Sequence, residues 1–447
     1  MIRLPLLACR AALLMAALAQ LVANPALAED AAPIAPQETF AIHGQATLVA
    51  QAVTGFASPY AGENSLSPSQ IKETIDATVY LGIRPWRGAE LWANPEIDQG
   101  FGLSNTLGVA GFPSAEAYKV GKSSPYFRLQ RLFLRQTLSL GGARSAVAGA
   151  ANQLAGTQSA DRLVLTVGKF GVGDVFDTNR YAHDPRADFL NWAIVDTGSF
   201  DYAADAWGYS YGAAAEWYRG PWTLRLGAFN LSKVPNGETL ETGFGQYELD
   251  AEIEHRHSIA GHDGAIRLAV FRNHGRFARL DEAVAAFNTT GAIPDLATLR
   301  RPATRLGGQV NVEQALTETL GLFLRAGVSD GRYEAYDFTD IDRTLAVGAS
   351  LGGKGWHRES DRAGLAVVVN GISKQRQRYL ADGGLGILIG DGALPHPGSE
   401  WITEAYYSAQ VVKGINVSAD YQLVVHPGYN RDRGPANVLA LRLHGAF

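Results

Sequence analysis

Sixteen segments, each roughly ten to fifteen residues long, alternate apolar with polar side chains, and the joins between them run long, short, long, short. A chain patterned this way has few folds open to it. Lipid on one face of every strand and a wet lumen on the other produce that alternation, and a barrel of hairpins carries its long loops on one rim only. The last segment shows the pattern best. Leu439, Leu441, Leu443, Gly445 and Phe447 form one stripe, with Arg442 and His444 between them and pointing the other way.

The expected strands are 40–53, 71–84, 88–98, 127–140, 161–174, 205–219, 221–231, 243–257, 264–275, 302–314, 317–331, 341–354, 362–373, 400–412, 414–425 and 438–447. The sequence is therefore read as an all-β transmembrane antiparallel barrel of about 16 strands over residues 40–447, with no second domain. Residues 1–28 read as a signal peptide: Arg3 and Arg10 flank an apolar run, and Ala26-Leu27-Ala28 offers a small-residue cleavage site. Residues 29–39, with Pro33 and Pro36, read as a flexible lead-in. The chain is thus expected to be exported to a Gram-negative outer membrane. Cys9 is the sole cysteine, so the mature chain has neither disulfides nor cysteine metal sites.

Composition agrees. The chain has 50 Gly, 8 Trp, 17 Tyr and 18 Phe, and only 19% of its residues are charged, a mixture suited to interfacial girdles. No mature segment approaches the ~20 apolar residues a spanning helix needs, so spanning must be by strands with every backbone group paired. A net charge of −5 without a basic tract argues against nucleic acid as a partner.

The lipid-facing stripes are expected at Trp207, Tyr209, Tyr211, Ala213, Ala215 and Trp217, at Ile71 to Ile83, and at Ile415 to Val425. Strand 161–174 is ambiguous: Leu163, Leu165 and Val167 choose one face, Phe170 and Val172 the other. The inward face is charged. Glu90, Trp92, Asn94, Glu96 and Asp98 form one ladder and Glu248, Asp250, Glu252 and Glu254 a second, with Arg131, Arg135, Arg267, Arg305 and Arg325 expected across from them. Most of these are read as solvated charges that keep a pore wet. Those nearest a constriction, Trp92, Asn94, Glu96 and Asp98 with an opposing arginine, combine donors, acceptors and a ring as a sugar site requires.

A barrel enzyme is not expected. Paired carboxylates could mimic a glycosidase and His255, His257 and His262 a metal site, but carboxylates at every second residue describe one lumen wall. No metal or other cofactor is indicated; Asp177, Asp184, Asp188 and Asp432 could hold calcium, although a solvated loop is the simpler reading.

Residues 91–137, 165–193 and 200–218, YLADGGLGILIGDG and the closing YNRDRGPANVLALRLHGAF together resemble carbohydrate-selective outer-membrane porins of the OprB type over nearly the whole mature chain. The resemblance implies passive, facilitated diffusion of mono- or small oligosaccharides into the periplasm, through a sixteen-stranded barrel with a loop folded inward as an eyelet. A general polar-solute porin and a polysaccharide-export barrel are the alternatives. By strand parity the eyelet loop is 99–126, carrying Glu116, Tyr118, Lys119 and Lys122, entered past Trp92, Asn94, Glu96 and Asp98 and left past Arg131 and Arg135. The expected partners are outer-membrane lipid, the translocated sugar and, through Phe447, the barrel-assembly machinery; the oligomeric state is left open.

Overall fold

The computed structural model describes residues 37–117 and 120–447; the expected signal peptide, most of the lead-in, Tyr118 and Lys119 lie outside them. Sixteen strands close into one barrel: β1 Phe40–Val53, β2 Gln70–Ile83, β3 Ala89–Gly100, β4 Lys122–Val147, β5 Gly156–Phe170, β6 Ser210–Arg219, β7 Trp222–Asn230, β8 Tyr247–Ile259, β9 His262–Phe277, β10 Arg301–Ala315, β11 Leu320–Ser329, β12 Arg343–Gly352, β13 Arg362–Gly371, β14 Glu400–Val412, β15 Ile415–Val425 and β16 Ala436–Ala446. Every expected strand is present. Each pairs antiparallel with its sequence neighbours, and β16 closes on β1 over Gln45↔Ala446 to Val53↔Val438. Closure leaves no unpaired edge, the condition for strands in hydrocarbon.

The join expected at 141–160 shrinks to 148–155, because β4 runs on to Val147 and β5 starts at Gly156. The extra length of β4 is taken up by irregular pairing between Ser139 and Arg144, which bends the projecting hairpin. Among the described residues the long loops carry four α-helices, α1 Trp192–Val195 inside the barrel, and α2 Leu280–Thr290, α3 Leu296–Leu299 and α4 Lys374–Ala381.

The outward stripes on β2 and β15 stand as read: Ile71 is 74% exposed and Tyr421 39%. The stripe ending in Trp217 needs correction. Tyr211 and Trp217 face outward, but Trp207 and Tyr209 precede β6 and are buried. Trp207 donates its indole N–H to the Tyr126 hydroxyl (3.0 Å) and lies 3.3 Å from the Arg128 guanidinium carbon. Alternation continues through these residues, but pairing does not, and only a paired strand obeys the two-residue period.

The barrel interior is packed rather than open. Residues 101–117, 171–209 and 330–342 turn inward, and Trp192 is stacked between Phe112 (5.3 Å) and Phe338 (5.1 Å). Inward-facing Phe133, Phe170, Phe229, Phe271 and Phe323 meet these loops from the wall, each such ring contributing about 2–3 kcal/mol of burial. This resolves the ambiguous strand. Leu163, Leu165 and Val167 form its outward face, while Phe170 at its end and Val172 in the turn beyond it belong to the buried loop core. Glycines make room for the inward rings: a Cβ on Gly82 would lie 2.4 Å from the Trp92 ring, and one on Gly212 would lie 2.3 Å from Phe229.

Candidate functional site in the lumen

The inward charges do a different job from the one their alternation suggests. On β8, Glu248 accepts the Ala203 amide (3.1 Å) and Glu252 the Asp177 amide (3.0 Å), while Arg225 bridges Glu252 (2.6 Å) and Glu254 (3.1 Å). On β14, Glu400 accepts the amides of Ala110, Gly111 and Gly428, and Glu404 those of Leu190 and Asn191. Whereas Glu254 is held by the wall side chains Arg225, Arg256 and Arg267, Glu248, Glu252, Glu400 and Glu404 thus grip loop backbone. The basic residues do likewise: Arg325 donates to the carbonyls of Ile194 (2.8 Å) and Asp177 (3.0 Å), and Arg305 pairs with Asp201. Arg305 and Arg325 are wholly buried, and Asp250 is 5% exposed. The reading of Glu248, Asp250, Glu252, Glu254, Arg305 and Arg325 as solvated charges is therefore corrected. A loop that fills the lumen brings unpaired N–H and C=O groups with it, and wall charges supply their partners. Glu400 and Glu404 were missed, although their even spacing repeats the β8 ladder.

The expected eyelet is only partly assembled. Trp92, Asn94, Glu96 and Asp98 share the inward face of β3 but are at most 1% exposed. Glu96 and Asp98 accept from Gln130 Nε2 (3.0 and 3.4 Å), and the Trp92 N–H donates to Glu90 (3.0 Å). The Trp92 ring is thus a packing group, not a platform presented to solute. Replacing Trp92 with alanine is expected to lower barrel stability by about 3–5 kcal/mol while leaving relative sugar permeabilities unchanged, as read by urea unfolding and liposome swelling. Arg131 and Arg135 keep 14% and 28% of their side-chain surface. Arg131 grips Asp174 through two bonds (2.6 and 2.7 Å), and Arg135 meets Glu90 (3.6 Å) and the Asn152 carbonyl (2.7 Å).

Residues 101–117, within the 99–126 segment expected as the eyelet loop, fold inward, yet the larger insertion is loop 171–209, which supplies Asp174, His183 and Arg186. Its apolar run Phe189-Leu190-Asn191-Trp192-Ala193-Ile194-Val195 was the available signal, since a solvated loop has no reason to carry one. Asp177 and Asp188, read as residues of a solvated loop in preference to calcium ligands, are instead buried, the first bonded to Thr197 and Asn311 and the second to Arg362. The run Gly208-Tyr209-Ser210-Tyr211-Gly212 has the spacing of a nucleophile elbow. Ser210, however, begins a strand, is fully buried and donates its hydroxyl to the Asn230 carbonyl.

Partly exposed polar side chains gather along the β2–β5 wall: Arg128, Arg131, Asp174, His183 and Arg186 retain between 14% and 31% of their side-chain surface. Burial pushes the Asp174 carboxyl up, but the Arg131 guanidinium outweighs it and holds the group below its ordinary value. Arg186 also reaches Asp76 (3.5 Å) and Glu116 (3.2 Å). Burial raises the Asp196 carboxyl to about 6, against the opposing pull of His183 at 3.9 Å. A raised carboxyl favours the folded state while it is protonated. Stability from this group is therefore complete below pH ~4, falls as pH rises through about 6, and is level above. Melting temperatures measured from pH 4 to 7 should decline less steeply for Asp196→Asn than for the natural chain.

Below this cluster, toward the short-turn rim, lies a cavity of about 1100 Å³ that includes Asp174 and His183 in its lining. A second cavity of about 380 Å³ lies among the loops of the opposite rim, lined by Glu63, Arg300, Glu334, Asp340 and Arg376.

The sequence profile of the family described as "Carbohydrate-selective porin, OprB family" matches residues 63–447. The fold superposes on the high-pH structure of Pseudomonas putida OprB with a TM-score of 0.70 at 16% identity, covering 92% of this chain and 94% of that one. The low-pH structure of the same porin gives 0.50 at 12% identity, over 92% and 93%. A search of curated protein sequences finds no match.

Proposed function

Because the chain belongs to the carbohydrate-selective porin, OprB family, and so is a sugar porin of the Gram-negative outer membrane, we propose that its solutes pass along the β2–β5 wall, between the outer cavity and the larger one at the short-turn rim. The observation that carries this is the partly exposed cluster of Arg128, Arg131, Asp174, His183 and Arg186 above the larger cavity. Guanidinium and carboxylate groups at one narrowing donate to and accept from sugar hydroxyls, while their mutual pairing keeps each individual contact weak enough to release the solute. No chemistry and no energy input are invoked, and no cofactor is assigned.

Liposome swelling with glucose, a disaccharide and an amino acid of glucose-like size tests the proposal. Faster entry of the sugars supports it. Entry ordered by size alone would make the passage a general polar-solute pore, and no entry would favour an export barrel that needs partner proteins.

We further propose that residues 1–28 are removed on export and that the C-terminus guides assembly. Phe447 exchanges two backbone hydrogen bonds with Gly44 (3.1 and 3.0 Å), yet its ring is 83% exposed. A large aromatic left outside a closed barrel is available to an assembly partner or to the membrane interface. Deleting Phe447 is expected to reduce folded barrel in the outer membrane several-fold, scored by heat-modifiable mobility, while the barrel that does form transports normally.

A further inference from the structure

The two cavities differ in charge. Six arginines line the larger one, Arg84, Arg87, Arg135, Arg144, Arg162 and Arg225, against three carboxylates, Glu90, Asp174 and Glu216. The smaller has two arginines against three carboxylates. Part of the positive excess is spent inside the protein: Arg225 is bound to Glu216, Glu252 and Glu254, and Arg84 and Arg135 share Glu90 at 3.7 and 3.6 Å.

Two arginines are engaged differently. Arg144 donates to the Thr157 hydroxyl (3.3 Å), and Arg162 to the carbonyls of Ser159 and Ala160 (3.2 Å each) with its guanidinium carbon 3.6 Å from the centre of the Tyr218 ring. Neutral acceptors leave their charge in place. Arg144 lies on the projecting end of β4 and Arg162 on β5, in the hairpin that bounds the cavity on the short-turn side.

We propose that this vestibule is a binding site for anionic monosaccharides, sugar acids whose carboxylate is taken by Arg144 and Arg162 while the hydroxylated carbons meet Gln153, Gln158 and the edge of Tyr218. Guanidinium groups bind carboxylate in paired hydrogen bonds, and an arginine-rich cavity bounded by protein raises the local concentration of anions. The site lies below the Arg131–Asp174 cluster, so it acts on solute that has passed the narrowing, and it extends the substrate class of the proposed sugar passage, on which it rests. Its volume accommodates a six-carbon acid with its water.

The test uses the refolded full-length barrel in a planar bilayer carrying chloride current, with gluconate or acetate added at equal concentration to the short-turn side. Gluconate is expected to reduce the current at least twofold more than acetate, and the Arg144→Ala/Arg162→Ala double variant to lose most of that difference while glucose still enters liposomes at the natural rate. Equal block by gluconate and acetate would overturn the site in favour of general anion attraction, and so would block that survives in the double variant. Because glucose entry is scored separately, a natural protein that admits glucose but is blocked no more by gluconate than by acetate sinks this inference alone, whereas absence of glucose entry in the natural protein sinks the sugar passage itself.

Discussion

Replacing Arg305 with methionine is expected to raise single-channel conductance several-fold while leaving the barrel closed. Arg305 is wholly buried on β10 and joins the wall to two loops, through Asp201 of the 171–209 insertion and through the Asp330 carbonyl (3.1 Å). Asp201 in turn accepts the amides of Tyr336, Asp337 and Phe338 at 2.7, 3.0 and 2.9 Å. Removing the guanidinium leaves the buried Asp201 carboxylate its three amides but no counter-ion, a change that costs about 3–5 kcal/mol. The loops have a less costly escape than the barrel does: they can swing out and let water reach Asp201. The ladder is untouched, since β10 keeps its backbone pairing with β9 and β11. Conductance should therefore rise with unchanged heat-modifiable mobility. Unchanged conductance would mean that the other clamps, Glu400, Glu404 and Arg325 among them, hold the insertion without Arg305.

The second large effect is expected at the narrowing. Asp174→Ala removes the partner that Arg131 grips through both nitrogens of its fork, leaving a cation beside the passage that keeps its contact with Tyr209, 4.8 Å from the ring centre. A unit charge acting on an ion roughly 8 Å away at an effective dielectric of ~20 is worth about 2 kcal/mol, enough for a shift of more than tenfold in the ratio of anion to cation permeability. Reversal potentials in a salt gradient measure that ratio directly. Glucose, being neutral, should feel the loss of an acceptor rather than the field, so its entry should fall by a smaller factor. A permeability ratio that stays put would place the ion path away from Arg131, and with it the proposed sugar path.

Strand number, antiparallel pairing and the lipid face were readable from the chain because each rests on a local rule. Side chains alternate across a strand, hydrocarbon demands an apolar stripe, and a barrel of hairpins separates short turns from long loops. The stripe Ile71, Ile75, Val79 and Leu81 needs no knowledge of any distant residue. The rule failed where a local pattern outlived its cause, as at Trp207 and Tyr209, which alternate like strand residues but lie in a loop.

The lumen was only half legible. Parity correctly sent Glu248, Glu252, Arg305 and Arg325 inward, but it could not say whether water or protein would meet them. That depended on a 171–209 loop whose amides at Asp177, Leu190, Asn191 and Ala203 come within hydrogen-bonding distance of carboxylates separated from them by between 45 and 214 positions in sequence. The same limit hid the pairing of Arg131 with Asp174 and the burial of Trp92 over Gly82. The sequence by itself determined which way the residues of the cleanly alternating strands point, because period and solvent act on neighbours. Only the tertiary structure decided which inward charges hold the loops and which are left to meet a solute, because that follows from where long loops come to rest, a matter of contacts between residues the chain keeps far apart.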